Sequence, residues 1–232
     1  MAPSKRSLDY FDNWDDSAFG EEQAIYRVVN LVSRGLVRGD VLDLGCGSRV
    51  YYDVSTVKRW VGLDPSSALL EQLRFLGPCT PAGPIEKLCS DCWDLPFADD
   101  EFDTVCAMFV LHHLAHTNRR QSEAEVLTVM REARRVLRKD GTLMVLETWP
   151  QPLLAPYHLL YPLLFPLVRR LTGVLLPYFL PPRRLRRLAS AAGFSECHVL
   201  AVDLYEDIRQ PVLNIVLPAW FQRLVQKYTI YV

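Results

Sequence analysis

Val41-Leu42-Asp43-Leu44-Gly45-Cys46-Gly47-Ser48 is the stretch that decides how the rest of the chain is read. Its first four residues form a buried strand, because the apolar side chains run almost without a break. Two glycines flanking one residue end that strand. With no Cβ in the way, the turn lets backbone N–H groups come close to a ligand. Seventeen residues past Gly47, a second apolar run, Trp60-Val61-Gly62-Leu63, ends in Asp64. An acid at the tip of the second strand is where a nucleoside-binding α/β sheet grips ribose hydroxyls.

Strand, glycine turn and a second strand ending in acid make a narrower pattern than a Gly-x-Gly pair. The combination resembles the class I S-adenosylmethionine-dependent methyltransferases. That resemblance implies an α/β fold with a doubly wound, mostly parallel seven-stranded sheet, an inserted apolar lid, and S-adenosyl-L-methionine as cofactor. It places cofactor contacts on Asp43, Gly45, Cys46, Gly47, Asp64, Pro65 and Phe109, with Tyr10 reaching over from the N-terminal arm. Asp91-Cys92 matches the family's acid and small residue that read the adenine: the carboxylate accepts from the exocyclic amine, and the next backbone N–H donates to a ring nitrogen. Leu95-Pro96-Phe97, followed by acids and then Phe102-Asp103, is similar to the quinone- and sugar-methylating branch. Leu111-His112-His113, with Glu147 at the next strand's end, resembles the sugar O-methyltransferases of natural-product pathways. There the His pair and an equivalent carboxylate line the acceptor, so His113, His112 and Glu147 are the catalytic candidates. An imidazole titrates near neutrality and contributes about 10²–10⁴-fold as a general base. The chain departs from the family at Arg49, where members usually carry a further glycine. The tract from Arg49 to Arg59 reads as a compressed turn, with Tyr51 and Tyr52 toward the site wall.

The 232 residues, half of them hydrophobic, suffice for one well-buried α/β domain with an added cap. Net charge is −1 with acids and bases interspersed. No basic block or aromatic-basic stripe stands out, which argues against a nucleic-acid substrate. Six cysteines without framework spacing suit a reducing, cytoplasmic setting. Cys89-x-x-Cys92 has no second pair and no nearby His, so no metal site is expected. No apolar core follows the first residues, so no secretory signal is read there.

The chain divides into four regions. Residues 1–20, aromatic among acids, form an arm over the cofactor mouth or packed on the domain's own surface. Residues 21–148 are the cofactor-binding core. Glu21 to Leu36 is a helix with Ala24, Val28, Val29, Leu31 and Val32 toward the sheet. Ser66 caps a helix running to Phe75, and Glu86–Ser90 is the third strand. Thr104–Phe109 is the fourth strand, Ser122 caps a helix running to Leu137, and Thr142–Leu146 is the fifth strand. Residues 149–182 are rich in Leu, Tyr and Phe and broken by eight prolines. Proline in a helix interior costs about 3 kcal/mol, which argues against a spanning helix. The tract reads as an apolar lid, with a membrane-surface patch as its alternative. Residues 183–232 return to the core with a basic-faced helix from Pro182, a strand over Cys197–Leu204, a short helix near Pro218–Gln226 and a last β-run.

Gly45, Gly47, Asp64, Asp91, Phe109, His113 and Glu147 all fall at or just past predicted strand ends, where an open parallel sheet binds its ligands. The reading is a methyltransferase with a small, largely apolar acceptor and no nucleic acid, methylating oxygen or carbon. It is cytoplasmic, with membrane contact through 149–182 if that tract is a surface patch. A catalytically silent methyltransferase-like partner subunit is the alternative. A nicotinamide oxidoreductase is disfavoured because position 50, where its fingerprint needs glycine, is Val50.

Overall fold

The computed structural model describes residues 22–116, 118–150, 155–172, 177–202 and 226–231. The arm with Tyr10 and most of the expected 218–226 helix lie outside them. Nearly unbroken apolar runs build the central strands, which are buried on both faces. Strands β1 (Gly39–Leu44), β3 (Val57–Asp64), β5 (Ile85–Cys89), β6 (Phe102–Met108) and β7 (Leu137–Pro150) pair in parallel. Two late strands, β8 (Val199–Val202) and β9 (Gln226–Tyr231), complete a seven-stranded sheet of order β5-β3-β1-β6-β7-β9-β8. β9 runs antiparallel to both its neighbours, so five strands are parallel and the far edge is mixed. The order reverses beside β1, and the crevice past the carboxyl ends of β1 and β6 is the switch point.

Alternation divides each central strand between two packed faces. Leu42, Leu44, Val61, Leu63, Val105, Ala107 and Val145 join one core. Helices α3 (Arg119–Val136) and α5 (Pro182–Ala191) cover it with Val126, Val129, Met130, Leu185 and Leu188. Val41, Trp60, Cys106, Met144 and Leu146 face the other side, with Val29 of α1 (Glu22–Ser33). Leu31 of α1, expected against the sheet, is exposed.

Several boundaries move for local reasons. The helix after Ser66, α2, is only Ser67–Glu71, capped by the Ser66 side chain, which accepts from Leu69 N. It stops short of Phe75 because β4 (Arg74–Phe75) pairs in parallel with β2 (Arg49–Val50). The compressed turn is therefore a two-strand ladder, and Arg49 is buried within it. Asn118, not Ser122, caps α3, accepting from Gln121 N at 3.0 Å. Ser122 sits a turn further in, where its hydroxyl donates to Asn118 O.

The proline-rich tract contains a helix, α4 (Ala155–Thr172), with Pro162 and Pro166 inside it. Both prolines are exposed, so water can take the carbonyls that their missing N–H groups leave unpaired. Tyr161 and Phe165 are buried against each other and Tyr161 packs on Tyr178, while Leu159, Leu163, Leu167 and Leu171 face outward. Among the described residues, no helix is long and apolar enough to cross a membrane.

Candidate active site

Backbone turns at the tips of β1 and β3 lock together. Gly45 and Gly47 take φ of +60° and +56°, the left-handed region that glycine tolerates. A Cβ on Gly45 would meet Val110 at 2.7 Å, whereas one on Gly47 would meet open space. Asp64 is buried at the end of β3; its Oδ2 accepts from Gly47 N and its Oδ1 from Ser66 N, both at 2.9 Å. The carboxylate thus braces the glycine turn, and Gly47 N–H points at Asp64. A carboxylate oxygen has two acceptor positions, so Asp64 keeps capacity beyond these bonds. Pro65 follows it half-buried, its carbonyl 3.5 Å from the Cys89 thiol. Asp91 Oδ1 accepts from Trp93 N at 3.1 Å, holding the loop beyond β5. Burial, aided by Asp91, pushes the Cys92 thiol up to about 12, and burial also raises Cys46. Both thiols stay neutral. Phe109, just past β6, takes φ of +57°, unusual for a bulky residue, and its ring meets Tyr51 edge-on at 6.2 Å.

Tyr52, expected near the site wall, lies wholly inside. Its hydroxyl donates to Asp43 Oδ2 at 2.8 Å and accepts from Trp60 Nε1 at 2.9 Å. Asp43 Oδ1 is buried with no hydrogen-bond partner among the described residues. Burial pushes the Asp43 carboxyl up to about 7, against the hydrogen bond from Tyr52. A cationic amine would satisfy that oxygen, and the space above Gly47 admits a close ligand. These observations fit a donor carrying an α-amino acid end.

On the other side of the crevice, Glu147 of β7 organises the 3₁₀ turn Leu111–His113. Oε1 accepts from Leu111 N at 2.6 Å, and Oε2 lies 2.7 Å from His112 Nδ1. His112 stacks on Phe179 at 5.6 Å and sits 4.0 Å from His113, centroid to centroid. Its carbonyl accepts from Tyr178 N at 2.9 Å. Although half-open at its surface, His113 is pushed well below the ordinary imidazole value by burial, then by His112. It is neutral at pH 7.

Charge is spread less evenly than the overall composition suggests. Between Glu147 and Glu196 the chain has six arginines and no acid. Arg169 and Arg170 are exposed at the end of α4, and Arg183, Arg186 and Arg187 are exposed on α5. Arg184 pairs with Glu123. Counting charge along the chain, segment by segment, would have found this; the net value averages it away.

Residues 42–145 match the family model described as a methyltransferase domain. An uncharacterised protein of Methanocaldococcus jannaschii is 26% identical over 153 residues, 61% of this chain and 60% of its own. The probable tRNA methyltransferase 9B of Homo sapiens is 31% identical over 105 residues, 45% of this chain and 20% of its own. This chain therefore spans at most 60% of the length of those two relatives. A methyltransferase chain solved in complex with the Haloferax volcanii Trm112 methyltransferase activator superposes with a TM-score of 0.61. It is 20% identical, with 97% of this chain and 96% of that one covered. The expectation of a small-molecule acceptor and no nucleic acid is corrected by these likenesses, since the relatives include a tRNA methyltransferase. Its physical basis fails too, because a near-zero net charge coexists with an arginine-only tract. From glycine turn to fifth strand, residues 42–145 are similar to the methyltransferase-domain family, and the chain has the class I methyltransferase fold, which implies S-adenosylmethionine as the methyl donor.

Proposed function

We propose that the protein is an S-adenosylmethionine-dependent methyltransferase whose acceptor is a nucleoside within a structured RNA. The observation that carries the acceptor is the arginine tract and its position. Phe179 stacks on His112, and α5 begins three residues later with Arg183 and Arg184 in its first turn. Cations at a helix N-terminus oppose the helix dipole, so they weaken a free helix. With a phosphate present, arginines and helix terminus act in the same direction. The likeness to a tRNA methyltransferase supports the same reading.

The donor, when bound, supplies a methyl group already activated as a sulfonium. This chain's residues bind, orient and move protons. Asp64 offers acceptor capacity to ribose hydroxyls, Asp91 to an exocyclic amine, and Asp43 Oδ1 to the donor's ammonium. Gly45, Cys46, Gly47, Pro65, Cys92 and Phe109 shape the wall. Of the two candidate histidines, His112 takes the base role. The Glu147 carboxylate can only accept, so His112 carries its proton on Nδ1, and Nε2 is the lone pair able to take a proton from the acceptor. His113, neutral and neighbouring, completes the acceptor wall. Holding acceptor and methyl in line supplies about 7–11 kcal/mol of barrier lowering. We propose α4 as the lid over this side, anchored by Tyr161 on Tyr178 with Phe165 packed behind it.

The test uses the full chain, S-adenosylmethionine labelled in its methyl group, and total cellular RNA, with and without a Trm112-type activator. Label should enter the RNA and fall sharply in His112→Ala. Label confined to the solvent-extractable fraction would overturn the acceptor; none in either fraction would favour a silent binding subunit.

A further inference from the structure

Asp43 lies on the face of β1 shared with Val41, and its parallel neighbours in register are Gly62 on β3 and Cys106 on β6. Gly62 leaves that spot bare. An added Cβ there would fall onto the Trp60 ring, which therefore owes its position across the strand to a glycine. From that position the indole N–H reaches Tyr52, and the Tyr52 hydroxyl reaches Asp43. Relative exposures of Trp60, Tyr52 and Asp43 are 0%, 1% and 2%, so all three are deeply buried. The single hydroxyl proton of Tyr52 goes to Asp43 and a lone pair is taken by Trp60, which fixes the hydroxyl's direction. Filling a core would not require this chain of polar groups, since apolar side chains of the same shape pack as well.

The groups that face Asp43 leave its charge unbalanced. Tyr52 donates to it, Asp64 repels it, and the thiols of Cys46 and Cys106 lie close on either side. None of these is cationic. The carboxyl is held in place by one oxygen while the other, Oδ1, is buried and unfilled.

We propose that Tyr52, backed by Trp60, is a positioning residue for the methyl donor: it holds Asp43 by Oδ2 and so presents Oδ1 to the donor's ammonium group. The inference rests on the donor-binding reading above and adds residues to it that touch no ligand. Only an ionised Asp43 pairs with the ammonium. Its pKa, raised to about 7 by burial and drawn down by Tyr52, makes donor affinity depend on pH near neutrality.

Calorimetric titration of the full chain with S-adenosylhomocysteine between pH 6 and pH 8 tests this. Affinity of the wild type should fall roughly tenfold from the top to the bottom of that range. In Tyr52→Phe the midpoint should move to higher pH, with the gap to wild type narrowing as pH rises, and Trp60→Phe should move it less in the same direction. A second readout needs no ligand: the Asp43 carboxyl stretch in infrared difference spectra, identified by its loss in Asp43→Asn, should titrate later in both variants. Equal midpoints in wild type and variants, or a loss of affinity uniform across pH, would overturn the proposal. If Tyr52→Phe does not fold, Trp60→Phe decides alone. Wild type that binds no S-adenosylhomocysteine would sink the donor reading, while the carboxyl titration would still decide whether Tyr52 governs Asp43.

Discussion

The two sides of the crevice are built on different principles. On the donor side, partners are near in sequence: Asp64 holds Gly47 seventeen residues back and Ser66 two ahead, and Tyr52 holds Asp43 across nine. On the acceptor side, Glu147 reaches back 36 residues to Leu111 and 35 to His112. Tyr178, beyond α4, then clasps His112 from the other direction. The donor side is a motif that β1, β3 and the short connection between them can assemble. The acceptor side exists only when β6, β7 and the segment before α5 are in register, so one missing carboxylate there should release more structure.

The largest expected effect tests that contrast. Glu147→Ala leaves the N–H groups of Leu111 and His112 and the His112 Nδ1–H without their acceptor and should lower stability by about 3–5 kcal/mol in urea denaturation. Glu147→Gln keeps an oxygen for the backbone but offers an amide N–H to His112 Nδ1. It should therefore force the opposite tautomer, losing turnover with a smaller stability loss. If both substitutions cost the same stability, the distinction between holding the turn and setting the tautomer fails.

Asp64→Ala removes the brace of the glycine turn and should cost about 2–3 kcal/mol of stability together with the affinity for S-adenosylhomocysteine. A loss as large as that of Glu147→Ala would break the contrast between the two sides.

Asp43 gives the donor side a pH signature in stability. Its folded value, about 7, lies above the unfolded 3.8, so the folded chain holds a proton that the unfolded chain releases. Stability should decline as pH rises from about 4 to about 7, by up to about 1.4 kcal/mol per pH unit from this group. Asp43→Asn should remove that component from the urea midpoint measured against pH.

Reversing Arg183 and Arg187 to Glu should leave stability within about 0.5 kcal/mol, since both are exposed. RNA affinity should fall, and its dependence on salt should flatten by about one unit of slope for each phosphate that is no longer neutralised. Ser66→Ala should cost about 1 kcal/mol in urea denaturation for the missing cap of α2 and leave RNA affinity unchanged.

Legibility followed the same division. Apolar runs, two glycines and an acid at fixed spacing located β1, β3, β6 and β7, because strands buried on both faces need nearly unbroken apolar sequence, while their parallel direction came with the family resemblance. Proline counting argues against a spanning helix in 149–182 but does not reveal the shorter helix α4, whose Pro162 and Pro166 face water. Tyr52 looked like a site residue because adjacency to Tyr51 says nothing of which ring turns inward. Ser122 looked like a cap because its type fits one, yet Asn118 lies a turn earlier with the same chemistry.

By itself, then, the sequence determined the sheet, the glycine turn and the acids that end its strands, since each rests on spacing within a few residues and on backbone conformations that only certain residues adopt. Tertiary structure alone decided which oxygen of Asp43 is left unfilled, which histidine meets a carboxylate, and that the segment before α5 closes on His112. Those outcomes depend on register and side-chain packing, often between residues dozens of positions apart, and no local preference sets them.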